Sequence, residues 1–69
     1  MRHIDLELFE GNSSTRTALH YATTNSEAQK KACEISRGEK YTKVILSING
    51  DWDEYEQGEK TAWSYPSGI

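Results

Sequence analysis

Hydrophobic and polar residues alternate from His3 to Glu10, with Ile4, Leu6 and Leu8 on one side and His3, Asp5 and Glu7 on the other. A period of two marks a strand with one wet face. Gly11-Asn12-Ser13-Ser14 then reads as a turn cluster, because Gly and Asn tolerate left-handed backbone and serine hydroxyls bond local amides. Thr17 to Thr23, rich in Thr and Tyr, predicts a second strand that returns beside the first. The pattern changes at Thr24-Asn25-Ser26-Glu27, a capping box in which the threonine oxygen accepts from the Glu27 amide and the Glu27 carboxylate reaches back. Ala28, Ala32 and Ile35 follow at helical spacing, so a helix is expected to about Ser36 with one small apolar stripe. Gly38 is its expected stop, with Arg37 beside the last carbonyls.

Period two returns at Tyr41 to Ile48, where Val44, Leu46 and Ile48 face one way and Ile45 the other. Asn49-Gly50 is a strong two-residue hairpin signal, since both residues accept positive φ. A fourth strand is expected near Asp51 to Glu56, a turn at Gln57-Gly58 and a fifth strand at Thr61 to Tyr65. The order is ββαβββ. It predicts an α+β fold, an antiparallel sheet of about four to five strands with one helix packed on one face. Residues 1–65 form a single domain in this reading, and residues 66–69 a frayed tail. Because the helix covers one side only, the other face is open, with Ile45 and some of Tyr21, Tyr55 and Trp63 expected on it.

Length limits what such a fold can do. A chain of 69 residues buries about 60% of its unfolded surface, so stability is marginal and a deep catalytic cleft is hard to build. Cys33 is the only cysteine, which excludes a disulfide within the chain. Cys33, His3 and His20 lack the spacing of a zinc site, so no metal and no cofactor are expected. Homodimerisation stays open as a stabilising device. Met1-Arg2-His3-Ile4-Asp5 lacks the apolar stretch of a signal peptide, and no run approaches a membrane span; a soluble protein of a reducing cytoplasm is expected.

Charge changes the picture more by place than by sum. The formal net charge is -3, which argues against a general nucleic-acid binder. Lys30, Lys31, Arg37, Lys40 and Lys43 outnumber Glu27, Glu34 and Glu39 around the helix, whereas Asp51, Asp53, Glu54, Glu56 and Glu59 face only Lys60 in the hairpin. A polarised molecule follows, basic around the helix and acidic on the hairpin. The acidic run either imitates nucleic-acid phosphates or keeps a solvated strand from pairing with neighbours. The basic run either contacts a partner or solubilises the helix, with Glu27 and Lys31 as a support pair.

Catalytic chemistry finds little footing. His3 and His20 lie in neighbouring expected strands and Asp5 could orient one, but no nucleophile or phosphate loop accompanies them, and they read as strand surface. Cys33 lies mid-helix beside Ala32 and reads as a packing residue. Trp52, Tyr55, Trp63 and Tyr65 offer stiff contact area of the kind found at binding hot spots. One tryptophan is expected in the core, and Trp63 is the choice.

Two segments resemble a known family. Ala28-Gln29-Lys30 with Ala32 on the helix, followed by Asn49-Gly50-Asp51-Trp52-Asp53-Glu54-Tyr55, Gly58 and Trp63, resembles small phage-encoded anti-CRISPR proteins that act on the type I-F surveillance complex. The resemblance covers about the last two-thirds of the chain. It implies a non-enzymatic inhibitor that binds a host CRISPR-Cas effector complex at its Cas7-like backbone and blocks target DNA binding. Lys30 matches a basic contact position of that family, whereas Glu34 and Ser36 stand where it places a lysine and a glutamine. The expected partner-binding set is Lys30, Lys31, Arg37 and Lys40, with Trp52 and Tyr55 as anchors. The alternatives are a small nucleic-acid-binding module and a self-associating structural protein.

Overall fold

A computed structural model describes residues 4–18 and 24–64. The described elements run β1 (Ile4–Glu10), β2 (Ser13–Ala18), α1 (Asn25–Arg37), β3 (Lys43–Ile48), β4 (Asp51–Glu56) and β5 (Glu59–Trp63). The strands form one five-stranded antiparallel sheet in the order β2-β1-β3-β4-β5. This is the expected α+β architecture. Since β2 and β3 both run antiparallel to β1, they are parallel to one another with β1 between them. Parallel strands need a long crossover, and α1 supplies it.

The helix starts at the predicted N-cap, Thr24. Thr24 Oγ1 accepts from the Glu27 amide at 3.1 Å and donates to the Glu27 carboxylate at 3.2 Å. It ends at Arg37, where the Gly38 N–H donates to the Ile35 carbonyl. Gly38 does so in extended backbone, at φ -70 and ψ 157, and not in the left-handed cap a glycine there suggests. Ala28, Ala32 and Ser36 are the buried stripe, while Ile35 packs at the margin. α1 lies over β3 and β4 and reaches β5. The small side chains of its stripe let the backbone approach the sheet.

The core is Ile4, Leu6, Val44, Leu46, Ile48 and Tyr55 from the strands, with Ala28 and Ala32 from the helix. Leu6 stands opposite Leu46, and Ile4 opposite Ile48. Asn49 at φ 50 and Gly50 at φ 96 make the two-residue turn between β3 and β4. That turn sets Ile48 opposite Asp51 and Leu46 opposite Asp53.

Three strand starts differ from expectation, one of them at β3, which begins at Lys43 and not at Tyr41. β2 begins at Ser13, directly after a two-residue turn, because Glu10 pairs with Ser13 and Gly11 at φ 60 supplies the reversal by itself. The serines read as turn residues are strand residues. Thr17 and Ala18 are the only parts of the expected Thr17–Thr23 strand that are described, and residues 19–23 lie outside the described residues. β5 begins at Glu59, two residues ahead of Thr61, since Gln57 at φ 52 and Gly58 at φ 80 complete the preceding turn. Tyr65 and the tail at 66–69 lie outside the described residues.

Candidate interaction surfaces

Helical geometry sorts the basic residues first. At about 100° per residue, Lys30, Glu34 and Arg37 share the helix face opposite Ala28 and Ala32. Lys30 and Arg37 are exposed, and Lys31 on the flank is partly buried. The Arg37 side chain bends over the β4–β5 turn, where a Cβ on Gly58 would meet its Cγ at 2.6 Å. Lys40 lies in the following loop with its ammonium 5.4 Å from the centre of the Tyr41 ring. An open cleft at this end of the molecule is lined by Arg37, Gly38, Glu39, Tyr41, Thr42 and Gln57. The basic residues therefore run along the outer helix face to its C-terminal end, with Glu27, Glu34 and Glu39 interleaved.

The hairpin is sorted by the pleat. Alternation sends Trp52, Glu54 and Glu56 to the open face, and Asp53 and Tyr55 under the helix. Tyr55 is 5% exposed and Asp53 is fully buried. Two expectations are thereby corrected. Tyr55 is a core residue and not a partner anchor, and the acidic run from Asp51 to Glu59 is split between the two faces, so it forms no continuous strip of carboxylates. Trp52, which is exposed, remains available. It stands on the opposite side of the sheet from Lys30, Lys31 and Arg37, so one flat partner surface does not meet Trp52 and those cations together.

The buried carboxylate is well supplied with donors. Asp53 Oδ2 accepts from Tyr55 Oη at 3.1 Å and from Gln29 Nε2 at 3.3 Å. Lys60 Nζ lies 3.3 Å from the same oxygen and 5.6 Å from the centre of the Trp63 ring. Trp63 stands opposite Asp53 in register, on the helix side of the sheet, but is 53% exposed. The expectation that Trp63 belongs to the core is corrected: it caps the edge of the polar cluster through Lys60.

Burial pushes the Tyr55 phenol far above its ordinary value, and the Asp53 carboxylate and nearby Cys33 add to the shift. The phenolate would sit in low dielectric beside a negative charge, so the folded state holds the proton that the unfolded state loses at about pH 10. Below that pH both states are neutral and the shift changes nothing. Above it the unfolded chain binds fewer protons, so stability falls by about 1.4 kcal/mol per pH unit until the raised folded value is reached. Urea midpoints measured from pH 9 to 11.5 should therefore fall more steeply for the wild type than for Tyr55→Phe. Parallel slopes would remove Tyr55 as the alkaline-sensitive group.

The open face is a charged lattice around a few apolar groups. Ile45 stands between Glu7 and Glu54 in register. Glu7 meets Arg16 at 3.5 Å and accepts from Ser14 Oγ at 3.3 Å. Glu54 lies 3.8 Å from Lys43 and accepts from Thr61 Oγ1 at 2.8 Å. Lys43 also rests over the Phe9 ring, 4.5 Å from its centre. Of the residues expected on this face, Ile45 is there, Tyr55 and Trp63 are on the helix side, and Tyr21 lies outside the described residues.

Sequence reading missed one contact between the helix and the hairpin turn. Ser36 Oγ accepts from the Gly58 N–H at 2.9 Å, and Cys33 Sγ donates to the Gly58 carbonyl at 3.0 Å. Both backbone groups of Gly58 are thus held by α1, with the Arg37 stem above. Cys33 packs beside the core, partly buried, as expected. His3 and His20 lie outside the described residues. Among the described residues no group of His, Cys, Asp and Glu is arranged to hold a metal ion, and no helix is long and apolar enough to cross a membrane.

Comparison with known proteins returns nothing: no family model, no curated protein and no solved structure matches this chain.

Proposed function

We propose that this chain is a non-enzymatic inhibitor of phage or mobile-element origin that occupies a surface of a host CRISPR-Cas effector complex and blocks target DNA binding. The observation that supports a binding role is the placement of its tryptophans. Trp52 is 37% and Trp63 53% exposed, in a small chain whose core is expected to take at least one of them. Large aromatics held at the surface on a rigid sheet are the side chains on which binding energy concentrates.

The residues of the anti-CRISPR resemblance divide by role. Ala28, Ala32 and Tyr55 build the core, and Asn49, Gly50 and Gly58 make turns at positive φ. Lys30, Trp52 and Trp63 are left facing outward. On this reading the helix face with Lys30, Lys31 and Arg37, continued by Lys40, meets the effector where target DNA would run, and Trp52 belongs to a separate contact on the sheet.

Reversing Lys30 and Lys31 to Glu should weaken binding to a purified type I-F surveillance complex by about tenfold or more, chiefly through slower association. The circular dichroism spectrum and urea midpoint should stay near wild type, since neither ammonium is in the core. Unchanged affinity would remove the helix face from the interface. No binding by the wild type to any CRISPR effector complex, together with tight binding to free DNA that weakens steeply with salt, would replace the inhibitor reading with a nucleic-acid-binding module.

A further inference from the structure

The two edges of the sheet are built differently. β5 is the guarded edge. It has five residues, its register against β4 shifts at Glu54/Tyr55, and it carries Glu59 and Lys60. A bulge, short length and charges are the devices that keep an edge strand from pairing with another chain. β2 is the other edge among the described strands, and it carries no register shift against β1 and a single charged side chain. Its six residues, Ser13-Ser14-Thr15-Arg16-Thr17-Ala18, pair regularly with β1 from Asp5 to Glu10 and are all exposed. It contains no Pro, Gly or Lys. Its one charged side chain, Arg16, reaches across to Glu7 at 3.5 Å and is largely exposed.

The hairpin fixes which backbone groups look outward. Glu10 and Ser13 close a two-residue turn and so exchange both ladder hydrogen bonds. By alternation Thr15 and Thr17 also point their N–H and C=O groups toward β1, and Ser14, Arg16 and Ala18 point theirs away.

We propose that β2 pairs antiparallel with β2 of a second copy, across a two-fold axis at Thr15, joining two five-stranded sheets into one continuous sheet. The self-complementarity of the edge selects this occupant. Residues opposite one another in an antiparallel pair share a sheet face, so the axis must pass through a residue position. With the axis at Thr15, Thr15 faces Thr15, Ser13 faces Thr17, and Ser14 faces Arg16. The outward groups of Ser14 and Arg16 then meet, hydroxyl side chains pair across the strands, and no like charges are opposed. An axis at Arg16 would set Arg16 against Arg16, which is unfavourable. An axis at Ser14 would carry Arg16 past the end of the strand, to Asn12 in the turn.

One such edge buries less than the roughly 1,200–2,000 Å² of a stable specific interface, so the dimer is weak and depends on concentration. The net charge of -3 on each copy adds a repulsion that salt screens. This pairing is independent of the CRISPR reading, because it uses the strand farthest from the helix-covered hairpin.

Sedimentation equilibrium from about 10 μM to 1 mM should show the mass rising from 7.9 kDa toward twice that value, spanning the weak end of specific association. Ser14→Pro removes one outward N–H without breaking a bond to β1, and should hold the protein monomeric with an unchanged circular dichroism spectrum. Register is read by cross-linking in a Cys33→Ser background. Thr15 facing Thr15 is a non-hydrogen-bonded pair with Cα atoms about 4.5 Å apart, within the span of a disulfide. Thr15→Cys should therefore oxidise to a covalent dimer about tenfold faster than Arg16→Cys, whose thiols would not be opposed. A wild type that stays at monomer mass to 1 mM overturns the proposal. So does faster cross-linking at Arg16→Cys, or a Ser14→Pro variant that is folded and still dimeric.

Discussion

Asp53→Ala should cost about 1–3 kcal/mol, the range for leaving a buried donor without its partner. A domain of 69 residues holds only about 3–10 kcal/mol in total, so that loss should take a large share of the stability. The size follows from what is stranded. Tyr55 Oη and Gln29 Nε2 both donate to Asp53 Oδ2, and Lys60 Nζ sits beside it. Lys60, about one-third exposed, can turn back to water. The Tyr55 hydroxyl cannot, and an unsatisfied buried donor costs about 1–3 kcal/mol by itself. Urea unfolding followed by far-UV circular dichroism measures the loss. A deficit below about 1 kcal/mol would mean that the cluster is solvated and that Asp53 is not structural. The double variant Asp53→Leu/Tyr55→Phe should recover much of the loss, because removing carboxylate and hydroxyl together leaves no orphan between them. Coupling between the two sites in a double-mutant cycle separates that from simple added bulk.

The frame of the fold is legible because local signals agree with one another. Period two in β1 and β3, a capping box at Thr24 and Asn49-Gly50 at the turn each name an element by a physical mechanism, and each appears where named. β2 is the exception. Ser13, Ser14 and Thr15 suit a turn or a strand equally, and their hydroxyls do not decide between the two. The outcome rests on Gly11, which completes the reversal within two residues and sends the polar run straight into the ladder.

Asp53 and Tyr55 were legible in principle. A two-residue turn at Asn49-Gly50 forces Leu46 opposite Asp53 and Val44 opposite Tyr55, and those aliphatics are core residues by their alternation. Reading Asp51 to Glu59 as a charge run sets composition above the pleat, and the pleat decides which carboxylates meet solvent. The Gly58 clamp was not legible. Ser36 and Cys33 lie 22 and 25 residues from Gly58, and no local pattern announces that a helix end will hold a distant turn. Trp63 misleads for a related reason. Its bulk suggests a core residue, but it stands on β5, an edge strand of the sheet, and is more than half exposed.

That difference between bulk and position gives the second large effect. Leu46→Ala should cost about 2–5 kcal/mol, and Trp63→Ala less than about 1 kcal/mol although it deletes more atoms. Leu46 is fully buried in the middle strand, between Leu6 and Asp53. Its removal opens a cavity lined by close-packed neighbours that relax only in part. Trp63 is more than half exposed, and what it forfeits is its contact with the Lys60 ammonium and the part of its ring surface that the fold covers. At about 4–8 °C per kcal/mol for a domain of this size, Leu46→Ala should lower the melting temperature by at least about 8 °C and Trp63→Ala by no more than about that. A Trp63→Ala protein that melts below Leu46→Ala would return the indole to the core and withdraw it from the surface. With the expected order, Trp63→Ala folds well enough for its partner affinity to be measured, and a loss there reports on binding rather than on folding.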